Sequence, residues 1–285
     1  MTYHPTIIIG AARSGTNMLR DTLTSLPKID TWPCDEINYV WRHGNITEPT
    51  DELTPKHATP QVKTYLHKSF NHIATKYTLD FVVEKTCANS LRLGFVHEIF
   101  PEAKYLVLIR DGRDVVASAL KRWVAPFDLT YTLKKARFVP LSDLPYYGFQ
   151  YIRNRWHRLT SDEKRVASWG PKFEGMQKVL NSHSLAEVCA LQWQKSVNNT
   201  ERDLAQMAKS QIYKIRYEDF VQNPAEHLKE ITDFLGYELQ QISVESLTDT
   251  ISTKSIGKWK QDLTAEQQEA VHKILAPTLQ FYGYT

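Results

Sequence analysis

Thr6-Ile7-Ile8-Ile9-Gly10-Ala11-Ala12-Arg13-Ser14-Gly15-Thr16-Asn17 is the stretch whose reading decides the fold. Ile7 to Ile9 is a short β-branched run of the kind that forms a buried strand. Gly10 bounds it, and small residues then lead into Leu19, Leu23 and Leu26 at helical spacing. A strand, a small-residue turn and a helix in that order make a cradle for an anion. Small side chains let the backbone close around the ligand, while loop N–H groups and the positive end of the helix dipole face it. Arg13, Ser14, Gly15, Thr16 and Asn17 are the candidate ligands.

The spacing of Gly10 and Gly15 fits the nucleotide-binding pattern GxxxxGK[ST], but Thr16 stands at the lysine position. Enzymes that take a nucleoside triphosphate normally supply that lysine and a magnesium ion. A loop that brings only Arg13 suits a less charged donor.

A second signal is Tyr105 to Leu120, YLVLIRDGRDVVASAL. Its apolar run reads as a strand with Arg110 at the tip, Asp111-Gly112 as a turn, and the rest as a helix with Val115, Val116, Ala119 and Leu120 facing inward. Ser118 follows Arg110 by eight residues. Both side chains can reach one phosphate, the arginine by a bidentate charge-assisted fork and the serine by its hydroxyl. Alone, Arg110 can equally be a structural ion pair with Asp111 or Asp114.

Between these signals, Lys28 to Pro33 reads as a short strand entering Cys34-Asp35-Glu36. Two carboxylates beyond a strand end are candidates for a general base or for the cap of the next helix. Asp80 to Val83 reads as another strand, ending in Glu84-Lys85-Thr86. At a strand's carboxyl end Lys85 can neutralise charge on a transferred group, or simply snorkel to the surface. Arg42 to Pro60 is polar and reads as a surface loop, an expected lid. Helices are expected over Gln61–Lys76, over Leu91–Phe100, from the Ser184/Glu187 capping box to about Ala208, after Asn223-Pro224 with Glu226 as box residue, and from Thr264 with Gln267 to near Pro277. Gln211–Arg216 is a further strand.

The sequence of 285 residues is 42% hydrophobic and 24% charged with a formal charge of +3, which is ordinary for a globular protein and offers no basic excess for nucleic acid. Cys34, Cys87 and Cys189 are odd in number and lack CxxC spacing, so neither a disulfide framework nor a zinc site is expected. No run approaches the ~20 apolar residues of a membrane span, and a cytoplasmic location without membrane or nucleic-acid partners is expected.

Arg13-Ser14-Gly15-Thr16 resembles the first motif of sulfotransferases that use 3′-phosphoadenosine 5′-phosphosulfate, in many bacterial and protein-tyrosine members. The Arg110 to Ser118 spacing is similar to the 3′-phosphate motif of that family. Strands that alternate with helices imply a central mostly parallel sheet flanked by helices, and the resemblance implies one α/β domain over 1–285 with that P-loop-like three-layer fold. It implies that Ser14 to Asn17 and Arg13 hold the 5′-phosphosulfate, Arg110 and Ser118 the 3′-phosphate, and that Tyr217 of Tyr217-Glu218-Asp219 contacts the adenine. Glu36 falls on the catalytic glutamate of the protein-tyrosine group. Lys85-Thr86 matches a pair that cytosolic members follow with a catalytic histidine, where this chain has Cys87. Ser252 to Trp259 partly resembles the segment that folds over the 3′-phosphate, which nominates Thr253 and Lys254.

The implied reaction moves a sulfuryl group to a hydroxyl or amine of a small acceptor, releases adenosine 3′,5′-bisphosphate and uses no metal. Residues 121–183, rich in aromatics such as Trp123, Phe127, Tyr131, Trp156 and Trp169, read as an insertion over the acceptor or as a satellite core. A sugar or a peptide tyrosine is an alternative acceptor. A small-molecule or nucleoside kinase with a degenerate loop is the rival enzyme, and a nucleotide-binding protein without a base the non-catalytic alternative.

Overall fold

The structure is a computed structural model that describes residues 3–124, 137–149, 152, 169–239 and 242–284. Five strands, β1 (His4–Ile9), β2 (Ile29–Asp30), β3 (Phe81–Lys85), β4 (Lys104–Ile109) and β5 (Ile212–Arg216), form one sheet in the order β2-β3-β1-β4-β5. Every ladder is parallel, with Ile8 opposite Lys85 and Ile9 opposite Val107. The chain leaves β1 toward β3 and later returns to the far side of β1 as β4. The sheet order therefore reverses between β1 and β4, where open α/β sheets bind ligands.

Helices cover both faces because alternate strand residues must be buried on each. Ile7 and Ile9 pack with α3 (Pro60–Tyr77), α4 (Leu93–Ile99), α5 (Gly112–Trp123) and helices α7 (Leu185–Leu204) and α12 (Ala265–Phe281). α2 (Asn38–Trp41) and α6 (Met176–Ser182) lie on this side too. Ile8 packs on the other face with α1 (Thr16–Thr24), α8 (Tyr217–Gln222), α9 (Pro224–Leu235) and α10 (Val244–Thr248). α11 (Trp259–Asp262) precedes α12. The expected three-layer fold with a parallel central sheet is the one observed, and among the described residues no helix is long and apolar enough to cross a membrane.

Local expectations hold where a local hydrogen bond sets the boundary. The Ser184/Glu187 and Thr264/Gln267 capping boxes both form, and Gly236 ends α9 with φ 76°. Asn223, by contrast, makes no side-chain cap bond. The helix expected over Leu91–Phe100 divides into a 3₁₀ turn at Cys87–Leu91 and α4, and the strand expected over Lys28–Pro33 shortens to Ile29–Asp30. α12 runs through Pro277 to Phe281: Gln194 donates to the Ile274 carbonyl at 2.7 Å, and Leu275 and Leu279 are buried on both sides of the proline.

The Arg42–Pro60 segment is packed rather than a lid. Arg42, 8% exposed, donates to the carbonyls of Asn45, Ile46, Glu48 and Thr50 and to Asp51, while Asp51 and Leu53 are buried with it. One buried guanidinium satisfies carbonyls that a loop without secondary structure would otherwise leave unpaired. Phe127, Tyr131 and Trp156 of the expected insertion lie outside the described residues.

Candidate active site

The turn after β1 closes tightly for two reasons. A Cβ on Gly10 would sit 2.8 Å from the Leu108 carbonyl, and one on Gly15, at φ 91°, would come within 2.6 Å of the Tyr217 ring. Gly15 caps α1, whose first intrahelical bond runs from Leu19 N–H to the Gly15 carbonyl at 3.2 Å. The amides of Thr16, Asn17 and Met18 precede it and carry no intrahelical partner. Ser14 is 1% exposed, and its hydroxyl oxygen has no partner among the described residues. The helix-terminal amides that face the cavity can receive an anion, and the Ser14 hydroxyl lies just behind them.

Arg13 adopts φ 74°, the left-handed region that a side-chain-bearing residue rarely enters. That conformation joins the two expected phosphate sites. Its Nε donates to Ser118 Oγ at 3.0 Å, and its carbonyl accepts from Arg110 Nη1 at 3.0 Å. Arg110 Nη2 donates to the Ser255 carbonyl at 2.7 Å, its guanidinium lies 4.4 Å from the centre of the Tyr217 ring, and its Nε is buried without a partner among the described residues. The structural alternative for Arg110 is not realised. Asp111 caps α5 and pairs with Arg113 at 2.8 Å, while Asp114 accepts from the amides of Gly257 and Trp259 at 2.8 and 2.9 Å.

Asp114 thereby ties the 255–259 segment over the β4 tip, and the Tyr217 and Ser255 hydroxyls meet at 2.5 Å. Ser255 is the residue of this segment in contact with Arg110 and Tyr217. Thr253 and Lys254 are exposed in the preceding 3₁₀ turn. Sequence reasoning missed Ser255 because its contacts are with residues far along the chain.

The tip of β3 brings a lysine and two carboxylates together. Lys85 Nζ lies 3.0 Å from Glu36 Oε1 and 3.1 Å from Asp35 Oδ1, with its side chain 1% exposed. Asp35 also pairs with Arg20 at 2.8 Å, and Cys87 N–H donates to Glu36 at 3.4 Å. Burial works against the Lys85 ammonium, but Cys87, Glu36 and Asp35 outweigh it and the net direction is upward. Because burial also pushes the Cys87 thiol up, that thiol is neutral and the two carboxylates hold the lysine charged. Neither carboxylate caps α2, whose cap position is Ile37. The Ile37 amide instead donates to Thr86 Oγ1 at 3.2 Å, which stitches the Asp35–Ile37 segment to the β3 tip.

These groups surround a cavity of about 520 Å³ between the β1 and β4 tips. Arg13, Gly15, Thr16, Asn17, Glu36 and Arg110 line it among the expected residues. Ser14, Lys85, Ser118, Tyr217, Thr253 and Lys254 do not, although Lys85, Ser118 and Tyr217 contact residues that do. Arg122, Asn38 and Trp169–Pro171 also line it and had no motif to announce them. The Arg13 pKa is lowered, first by burial and then by Arg122, so cations crowd this end of the cavity without enough anions to offset them.

Behind it, fully buried Arg92 donates to Asn38 at 2.6 Å and Asn89 at 2.9 Å and lies 3.7 Å from Asp51, which Arg42 pairs at 3.0 Å. Asp51 also accepts from the Lys172 amide at 2.8 Å; burial pushes its pKa up, but Arg92 and Arg42 override that and the net direction is downward.

A parallel sheet with a tight strand-loop-helix turn at its switch point, an arginine at the neighbouring strand tip and a lysine-braced carboxylate on the same cavity defines the P-loop-like α/β class. The model of the sulfotransferase family matches residues 5–167 and 150–241, and the chain belongs to that family. It is a sulfotransferase, an enzyme of sulfuryl transfer. Its fold is similar to the sulfotransferase domain from the curacin biosynthetic pathway, with TM-score 0.55, 15% identity and 98% of each chain covered. It is also similar to the sulfotransferase domain of the Synechococcus PCC 7002 olefin synthase, with TM-score 0.53, 16% identity and coverage of 97% of this chain and 95% of that one. Sulfotransferase STF1 of Mycobacterium tuberculosis H37Rv gives TM-score 0.50 and 14% identity, over 97% of this chain and 77% of that one. No curated protein matches the chain significantly.

Proposed function

We propose that the donor is 3′-phosphoadenosine 5′-phosphosulfate and that the sulfuryl group passes to a hydroxyl or amine of a small acceptor. The observation that carries this reading is the double contact of Arg13. Its side chain meets Ser118 and its carbonyl meets Arg110, which supports a reading in which the loop after β1 and the tip of β4 bind opposite ends of one ligand. The donor supplies an activated S–O bond to a phosphate leaving group, and the chain's residues do the rest. Open amides from Thr16 onward, the Ser14 hydroxyl and Arg13 hold the 5′-phosphosulfate. Arg110 and Ser118 hold the 3′-phosphate, Tyr217 the adenine, and Thr253 and Lys254 the outer side of the nucleotide.

Glu36 takes the proton of the acceptor O–H or N–H as the acceptor atom bonds to sulfur and the bond to the bridging oxygen breaks. As the proton neutralises Glu36, the Lys85 ammonium beside it is left to offset negative charge that grows on the leaving phosphate. In this reading the charge is met by arginine and lysine without a metal. Trp169 to Pro171, in the cavity wall, belong to the cover expected over 121–183 within one domain.

The test is binding without metal. Adenosine 3′,5′-bisphosphate in chelator is expected to raise the melting temperature markedly, and ATP with magnesium to leave it nearly unchanged. A response only to ATP with magnesium would replace this reading with the kinase.

A further inference from the structure

Arg122 lies in the last turn of α5, four residues beyond Ser118 and on the same face of the helix. It lines the cavity with Glu36 and Trp169, its side chain is exposed to that space, and no carboxylate pairs with it among the described residues. Its neighbour Lys121 shows what a solvated arrangement looks like, turned away to Asp262 at 2.7 Å. Of the other charges of the wall, Asp35 pairs with Arg20 and Glu36 with Lys85, while Arg110 is held by two carbonyls and Arg13 by Ser118 Oγ at the donor end. Among the described residues the Arg122 side chain has neither an anion nor a hydrogen-bond partner, which sets it apart from Arg13 and Arg110.

The wall that includes Trp169 to Pro171 is tied to α7 and α5. Gln192, 5% exposed, donates from Nε2 to the carbonyls of Trp169 and Pro171 at 2.8 and 2.9 Å, and the Trp169 ring meets Trp123 at 6.4 Å. The cavity therefore offers an acceptor an aromatic and proline surface, a carboxylate at Glu36, and the guanidinium of Arg122.

We propose that Arg122 is a specificity-determining residue and that the acceptor is an amphiphilic acid: an apolar or aromatic body that carries, besides the hydroxyl or amine to be sulfated, a carboxylate or phosphate bound by Arg122. This rests on the donor assignment above. An arginine fork matches either anion bidentately, and such a pair discriminates against neutral analogues that leave the fork unmatched. A sulfotransferase with this residue selects by charge as well as by shape.

The experiment separates the two assignments. Calorimetric titration of wild type and Arg122→Gln with adenosine 3′,5′-bisphosphate comes first. Bisphosphate affinity within about threefold is expected, and a loss of tenfold or more makes Arg122 a donor ligand and overturns the proposal. Absence of bisphosphate binding to wild type would instead sink the donor assignment.

The bisphosphate-saturated proteins are then titrated with 4-hydroxyphenylacetate, its primary amide, 3-hydroxydecanoate, its primary amide, and phenyl phosphate. At least one acid is expected to bind wild type tenfold or more tightly than its neutral counterpart. That preference should vanish in Arg122→Gln and turn against the acid in Arg122→Glu. Phenyl phosphate, compared with the carboxylates, tells which anion is preferred. An equal or absent response to acids and amides overturns the proposal. Arg122 is exposed, so unchanged melting temperatures of both free variants confirm that folding is not at issue.

Discussion

Arg13 is held at φ 74°, a conformation that costs a residue with a Cβ roughly 1–2 kcal/mol. The strain is offset by two contacts that a right-handed conformation would not make together, to Ser118 and from Arg110. Glu36 shows the same dependence on neighbours: Lys85 and the Cys87 amide fix its carboxylate at the cavity wall. Glu36→Gln keeps the shape and one carbonyl oxygen for these donors but removes the basic site. Turnover is expected to fall ~10²- to 10⁴-fold, the usual worth of a positioned base, with bisphosphate affinity unchanged. Comparison of kcat with the bisphosphate Kd in wild type and variant checks this, and undiminished kcat would move the base elsewhere.

At the scale of elements, β3 and the 3₁₀ turn after it form a bracket. Buried Glu84 accepts from Thr86 at 2.6 Å and from Asn89 at 2.9 Å, and Thr86 in turn accepts from the Ile37 amide. Burial, opposed by the hydrogen bond from Thr86, pushes the Glu84 pKa up from 4.5 to about 7. Between those values the folded protein keeps a proton that the unfolded chain has lost. Stability is therefore highest below pH 4.5 as far as this group is concerned, declines as pH rises, and levels off above about 7.

The full loss is on the order of 3 kcal/mol. In Glu84→Gln this decline should disappear, at a pH-independent cost of about 1 kcal/mol for the bond from Asn89 that an amide nitrogen cannot accept. Urea midpoints at pH 5, 6, 7 and 8 measure it; identical slopes in wild type and variant would exclude Glu84 as the titrating group.

At the scale of the whole molecule, the order β2-β3-β1-β4-β5 brings residues 13 and 110 to neighbouring strand tips although nearly a hundred positions separate them. A ligand that bridges these tips ties together the two halves of the sheet. At a hundredfold excess over Kd, adenosine 3′,5′-bisphosphate is expected to stabilise the fold by about 2.7 kcal/mol. Arg110→Ala should lower its affinity ten- to a hundredfold, the loss of about 1.5–3 kcal/mol typical of a charge-assisted bond, and shrink the thermal shift accordingly. An unchanged Kd would remove Arg110 from the nucleotide site.

The residue order by itself determined the strand-loop-helix cradle, the arginine at the next strand tip, the parallel three-layer architecture and the capping boxes of α7 and α12. Those features are written locally, in apolar periodicity, in small residues where the backbone must close, and in side chains that cap their own helix. Tertiary structure decided the rest. It turned the Arg42–Pro60 lid into a loop packed around a buried guanidinium and carried α12 through Pro277. It also brought Ser255 onto Arg110, and Arg122 and Trp169 into the cavity wall. Each of these depends on contacts between residues distant in the chain, made to satisfy buried carbonyls, charges and apolar surface, and no spacing along one segment encodes what another segment will bring to it.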